Sequence, residues 1–345
     1  MRRLEIVGYG AIADVVRIAE VAKPAIGDAD VLIRVEAASI NPIDTKFIHG
    51  HLRRIMAPGL PAAIGFDACG EIESVGRKVD GFAAGDRVYV RAPRQKMGSF
   101  AEYLAVDARF VAIAPANLSA AEAASIPLVA LTTLQGLVDR AHARAGQHVL
   151  IHAGSGGLGS FAVQFAKHVL GLRVTTTASS RNSAWVQALG ADEVIAYDRE
   201  DYRGRDTRYD IVFDTLGGAT TADSFGLLRR GGCVLSVAGP PDWRFARQIG
   251  AGPLKSALLW LLALPTEWRA RRHGARYFRY LTESDGAQLA AIAGVIAEGK
   301  VRPVIDTIYA FEDYRAALEH MDGGHARGKL VIAMRPGDAP GPGDS

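Results

Sequence analysis

Cysteine, long apolar runs and an excess of either charge are all scarce in this sequence, and each scarcity removes a class of protein. Cys69 and Cys233 are its two cysteines; so far apart, they offer neither a disulfide framework nor the four-thiolate spacing of a structural zinc lobe. A reducing compartment is expected, with the cytoplasm as the default. The most apolar stretch, Ala257 to Leu264, is eight residues long, whereas a membrane-spanning helix needs about 20. Two basic residues follow Met1, but charged and small residues interrupt what comes next before a signal-type apolar run can form. Forty Lys and Arg against 37 Asp and Glu leave a net charge of +3, too balanced and dispersed for a nucleic-acid binder.

What is present is a chain of 345 residues, 49% hydrophobic and 22% charged, the composition of a globular protein and the length of about two domains. From Leu4 to about Leu118, short alternating or apolar runs (31 to 37, 68 to 75, 87 to 91, 100 to 106) are broken by turn signals such as Asp80-Gly81 and Gly85-Asp86. This texture predicts a small all-β barrel. An Ala- and Leu-rich helical stretch from Ala120 then opens a regular alternation. Strands are predicted near 149–152, 173–177, 193–196, 210–213 and 233–237, and helices near 158–169, 183–189 and 221–228. Such alternation with short loops predicts a parallel sheet covered on both faces. From about Val304 a strand, a helix and a last strand follow, and a Pro-, Gly- and Asp-rich end is expected to be disordered. The expected division is 1–120 with 300–335 in one domain, 121–299 in the other, and 336–345 as a tail.

Gly154, Gly156 and Gly159 form G-x-G-x-x-G directly after one predicted strand and at the start of one predicted helix. That position gives the pattern its weight, because backbone N–H groups and the positive helix end then face the place of a pyrophosphate. A tight turn with no ligand is the alternative. An NAD site would have an acid about 20 residues further on, at the ribose 2′-OH. Here Thr175 to Asn182 reads TTTASSRN, and the first acid after it is Asp192. Hydroxyls and the Arg181 guanidinium stand there instead, which suits a 2′-phosphate and favours NADPH; otherwise Arg181 is a solvated loop residue.

The segments Ala38 to Asp44 (ASINPID), Gly65 to Ile72 (GFDACGEI), Gly85 to Val88, Gly98 to Tyr103, the glycine turn with Gln164 to Lys167, and Leu189 to Val194 together resemble the medium-chain dehydrogenase/reductase superfamily. Within it the resemblance is to the zinc-independent quinone oxidoreductase (zeta-crystallin-like) branch, over nearly the whole chain. Gly324 to Lys329 looks like the subgroup of NADPH oxidoreductases that includes the mitochondrial reticulon-interacting protein. The resemblance implies an α/β protein with a GroES-like β-barrel domain, a Rossmann doubly wound parallel-sheet domain, an active site in the cleft between them, and a homodimer joined through the Rossmann edge.

It also implies where zinc would bind. Asn41 stands where the zinc enzymes have their first Cys and Phe66 where they have His; 124–136 offers no third ligand and 91–102 no Cys, so no metal is expected. Without a Lewis acid, an electron-poor acceptor is the expected substrate, either a quinone or an α,β-unsaturated carbonyl. By family match, Asn41 is the donor that could hold the acceptor oxygen or the nicotinamide ribose, with Asp44 and Lys46 as possible participants. Cofactor contacts carried over are Thr132 at the nicotinamide ribose, the glycine turn with Ser155, Gly157 and Leu158 at the pyrophosphate, and Ser179 with Arg181 at the 2′-phosphate. Tyr197 is placed beside the adenosine, or else caps the core; Leu216 and Gly239 line the nicotinamide side, and His325, Ala326 and Arg327 follow the subgroup.

The segment 253–280 is the least predictable. An apolar helix followed by a basic, aromatic one is expected, as a core or dimer-contact element, a pocket lid, or a membrane-surface contact. The principal reading is an NADPH:quinone oxidoreductase; an enone or alkenal reductase and a non-catalytic NADPH-binding protein are the alternatives.

Overall fold

The computed structural model describes residues 1–53 and 59–334; the expected tail lies outside them. The strands run, in chain order, Arg2–Ile6 (β1), Val16–Glu20 (β2), Asp30–Ile40 (β3), Ala62–Ala63 (β4), Asp67–Val75 (β5), Arg87–Arg91 (β6), Tyr103–Asp107 (β7) and Val111–Ile113 (β8). Then follow His148–Ile151 (β9), Arg173–Ala178 (β10), Glu193–Ala196 (β11), Tyr209–Asp214 (β12), Leu228–Ser236 (β13), Arg276–Arg279 (β14), Ile305–Ala310 (β15) and Lys329–Ala333 (β16). Two compact units result: 1–131 with 283–299 and the chain from Pro303, and 132–282 with 300–302.

The first unit is the predicted barrel texture. Its main sheet has the order β15-β16-β3-β5-β6-β8, with β7 also on β3, beside a small β2-β1-β4 sheet. β3 is the hub, pairing antiparallel with β5, β7 and β16. Two register shifts against β5 bend it, and Gly70 makes that bend possible: a Cβ there would sit 2.1 Å from the Arg34 carbonyl. The core gathers Leu4, Ile6, Ile33 and Ile332 from the inward side of the strands with Phe47 and Leu318 from helices and Phe66 and Phe100 from the connections.

This unit takes in more of the chain than the sequence suggests. The helices Ala120–Ala124 and Gly286–Ala297, expected within the parallel-sheet domain, belong to the barrel. The first packs on β3 and β5, the second on β8. Gly286 abuts the Val111 carbonyl so closely that a Cβ would lie at 2.4 Å, and Tyr89 donates its hydroxyl hydrogen to the Leu289 carbonyl at 2.6 Å.

The second unit is a six-stranded, wholly parallel sheet of order β11-β10-β9-β12-β13-β14. In order of appearance this is 3-2-1-4-5-6, the doubly wound arrangement, whose switch point lies beside the first strand. β9 is buried along its whole length, as a strand covered on both faces must be. The expected apolar helix and basic helix over 253–280 are instead one helix, Pro253–Arg272, and then β14. Gly274, at φ +60°, ends the helix. Tyr277 then turns inward, donating to the Pro240 carbonyl at 2.7 Å, and Arg276 turns outward, the alternation of a strand.

Candidate functional site

Two polar centres stand out, one in each unit. In the second unit, β9 ends at the switch point and the chain turns through Ala153 to Gly159 into the Gly157–Gln164 helix. Ala153 takes φ +56°, a strained conformation of the kind kept at functional turns. Its N–H donates to the Thr177 hydroxyl at 3.0 Å, and Gly154 N–H donates to the Thr177 carbonyl at 2.8 Å. The three glycines have different reasons. A Cβ on Gly154 would meet the Thr176 hydroxyl at 2.2 Å, and one on Gly159 the Ala153 carbonyl at 2.1 Å; both are fixed by packing within the unit. A Cβ on Gly156 would meet nothing nearer than 3.5 Å. Its side faces open space, while the first N–H groups of the helix have no intrahelical acceptor.

At the end of β10, the Ser179 hydroxyl is buried with no hydrogen-bond partner, and Arg181 is exposed on the next turn. Asp198, which no motif singles out, accepts from both the N–H and the hydroxyl of Ser180, at 2.8 and 2.7 Å, and so shapes this loop. Tyr197 is 59% exposed and Leu216 is 56% exposed, at the carboxyl ends of β11 and β12; the Tyr197 ring therefore caps no core. Thr132 is buried, its hydroxyl 2.6 Å from that of Thr282. Gly239 is wedged among Tyr277, Ser236 and Thr221. Asp214, also unforeseen, is buried and accepts from Thr221, Ser236 and the N–H groups of Leu216 and Gly217, which fixes the loop that carries Leu216.

The first unit's centre lies where β3 meets the Pro42–Ile48 helix. Asn41 precedes that helix and its N–H donates to Asp44 at 2.8 Å. The Asn41 amide is spent inside the unit: Nδ2 donates to Asp67 at 2.9 Å, while Lys329 Nζ donates to Asn41 Oδ1 and, at 3.0 Å, to the Ile40 carbonyl. Ser39 adds a bond to Asp67, and Lys329 lies 3.7 Å from the same carboxylate. Asn41, Asp44, Asp67, Arg91 and Lys329 are all buried. The Phe66 ring lies under the Arg91 guanidinium, 5.1 Å away. Lys46 is exposed on the same helix. His325 and Arg327 are exposed before β16, where Arg327 N–H donates to Asp306; Ala326 packs on the core.

Burial governs the charges here. It pushes the Asp44 carboxyl up to about 7 and raises that of Asp67, while lowering Lys329 and bringing Arg91 down to about 10. The donor set does not suit zinc. An amide already bonded at both ends and a buried phenyl ring occupy two of the family's ligand places, and burial raises the Cys69 thiol to about 12, far from the thiolate a metal needs. Among the described residues no three His, Cys, Asp or Glu side chains gather to hold a metal.

Residues 27–116 match the family described as alcohol dehydrogenase GroES-like domain, and residues 189–332 the one described as zinc-binding dehydrogenase. The chain is 33% identical to a 2-methylene-furan-3-one reductase from Solanum lycopersicum, over 94% of this chain and 76% of the relative. It is 31% identical to the mitochondrial NAD(P)H oxidoreductase RTN4IP1 of Danio rerio, over 88% and 84%. The chain belongs to the medium-chain dehydrogenase/reductase superfamily. The structure of a quinone oxidoreductase from Coxiella burnetii is similar over 97% of this chain and 99% of that one, at a TM-score of 0.84 and 31% identity. This medium-chain reductase thus has the expected GroES-like and Rossmann units, and no helix among its described residues is long and apolar enough to cross a membrane.

The Asp44 carboxyl supplies a pH test. Its folded pKa, about 7, lies above the ordinary value near 3.9. The folded state therefore binds the extra proton between these values, and stability falls as pH rises through that window, by up to about 1.4 kcal/mol per pH unit. Asp44→Asn keeps an acceptor for Asn41 N–H and removes the titration. Melting curves from pH 5 to 8 should show the variant gaining on the wild type as pH rises; a constant difference would refute the assignment.

Proposed function

We propose that this chain binds NADPH at the turn after β9 and passes its hydride to an electron-poor acceptor, a quinone or an α,β-unsaturated carbonyl, with no metal in the reaction. The observations that carry the reading are the uncrowded side of Gly156 at the start of the helix, where an added Cβ would meet nothing nearer than 3.5 Å, and, at the end of the neighbouring strand β10, the buried Ser179 hydroxyl without a hydrogen-bond partner. Ser155, Gly157 and Leu158 would present backbone N–H groups to the pyrophosphate, with Gly154 and Gly159 holding the turn. Ser179 and Arg181 would take the 2′-phosphate and Tyr197 the adenosine. Thr132, Leu216 and Gly239 would border the nicotinamide half, and His325, Ala326 and Arg327 belong to the site by resemblance.

When bound, NADPH supplies the hydride. On the acceptor side, Asn41 and Asp44 act by holding the end of β3 and the start of the next helix, because their polar groups point into the unit. Lys46, exposed on the same helix, takes part by resemblance only, and water supplies the proton. Reduction of a double bond is the second reading, supported by the likeness to the tomato 2-methylene-furan-3-one reductase. The reading includes a cytoplasmic place and a homodimer: among the described residues β14 pairs only with β13, leaving an edge for a second copy.

Two experiments test this. NADPH and NADH oxidation should be followed with a small quinone, a bulky ortho-quinone and an enone. Quinone turnover that prefers NADPH and ignores a chelator is expected, and Arg181→Ala should raise the KM for NADPH about tenfold while sparing NADH. Turnover of the enone alone selects the second reading, and tight NADPH binding without turnover makes the chain a binding protein. In the second, Gly156→Ala should cost at most about 1 kcal/mol of stability yet weaken NADPH binding at least about tenfold. Gly159→Ala should unfold the turn outright; equal NADPH affinity in Gly156→Ala and wild type would sink the site.

A further inference from the structure

The Pro253–Arg272 helix is turned inside out. Ala263, Thr266 and Ala270 are buried, and Ser256, Leu259 and Glu267 half-buried, a stripe at helical spacing on a helix that packs against β14 and the Phe245–Gln248 turn. The opposite stripe runs Leu254, Leu258, Leu261, Pro265 and Trp268. Leu254 is 87% exposed and Trp268 60%, and Trp260, Leu262 and Leu264 widen the exposed face. A contiguous face of this kind marks a surface that something else covers.

Charge decides what covers it. From Pro253 to Arg272 the helix holds four Lys or Arg and a single acid, Glu267, which lies on the inward side and whose Oε1 is buried. Lys255 marks one end of the helix and Arg269, Arg271 and Arg272 the other, all exposed. A second copy laid antiparallel on the stripe would bring these arginines against Gly252 to Lys255, and a parallel one would bring them against each other; neither arrangement offers a carboxylate. An anionic lipid surface answers both features. Arg272 stacks on Trp268 at 5.3 Å and Arg244 on Trp243 at 4.4 Å, placing cations beside the amphipathic rings that settle at headgroup depth.

We propose that the Pro253–Arg272 helix lies in the plane of an anionic phospholipid bilayer, its Leu and Trp stripe in the acyl boundary and its basic residues among the headgroup phosphates. Four cations along 20 residues suit a helix that lies on a membrane rather than one that spans it.

Flotation of the full chain with phosphatidylcholine vesicles, and with vesicles containing about 30% phosphatidylglycerol, tests this. Binding to the anionic vesicles that falls between about 0.1 M and about 0.5 M salt is expected. Three of the four tryptophans, Trp243, Trp260 and Trp268, lie in this segment, so intrinsic fluorescence should shift to the blue. Leu258→Glu with Leu261→Glu should lower binding at least about tenfold, and Arg269→Glu with Arg271→Glu should abolish the preference for anionic lipid; circular dichroism and melting check that both variants fold. The proposal fails if neither vesicle floats the protein or if the leucine variant floats as well as wild type. It also fails if light scattering finds a dimer that the leucine variant breaks while vesicles bind nothing, since the face would then be a contact between copies.

Discussion

The buried ammonium of Lys329 is the constraint on which the first unit depends. It reaches the Ile40 carbonyl, Asn41 Oδ1 and the Asp67 carboxylate, and so joins the end of β3, the start of β5 and the start of β16. A buried ion pair of this kind gives little net stability over apolar packing of the same shape, but removing one partner costs about 3–5 kcal/mol. Its effect is on register. Leu330 must lie opposite Ile40 for Lys329 to meet Asn41, and a slip by one residue would turn the ammonium to the other face. The last strand is thereby fixed to a segment almost 300 residues earlier, and the Asn41 amide is fixed with it.

The second unit is held by close backbone approach instead. Gly154 and Gly159 leave no room for a methyl group, and the price is a strained Ala153. What the turn leads into is a helix start at which an added Cβ on Gly156 would meet nothing nearer than 3.5 Å. Asp214 does for the end of β12 what the turn does for β9, gathering two hydroxyls and two N–H groups. Two neighbouring strand ends at the switch point are thus rigid while Leu216, between them and solvent, stays exposed.

Local features were legible in the sequence. The glycine turn and the alternation of the second unit each depend on a few adjacent residues, and each stands in the structure where the spacing placed it. Features that depend on distant partners were hidden. Asp67 and Lys329 carry no signal that they share one pocket, so Asn41 read as a free amide. Asp198 follows β11, yet it shapes the loop after β10 because the two strands are parallel neighbours. The Gly286–Ala297 helix continues the helical texture of the second unit in sequence, and only its fit against Val111 assigns it to the barrel.

The 253–272 segment shows a further limit. Periodicity reveals that a helix has two faces and leaves open which one meets the protein. ALLWLLAL reads as core because apolar side chains are usually buried there, but the fully buried positions of this helix are Ala263, Thr266 and Ala270, with Ser256, Leu259 and Glu267 half-buried beside them. The helix packs against β14 through this face, and Leu258, Leu261 and Trp268 stand exposed on the opposite one. An ordinary core helix would carry the large residues inward and the small or charged ones outward. Here the fully buried positions are small, and the outward leucines and tryptophans, bordered by arginines, leave half or more of most of their side chains uncovered by their own unit, which is accounted for by what lies beyond it.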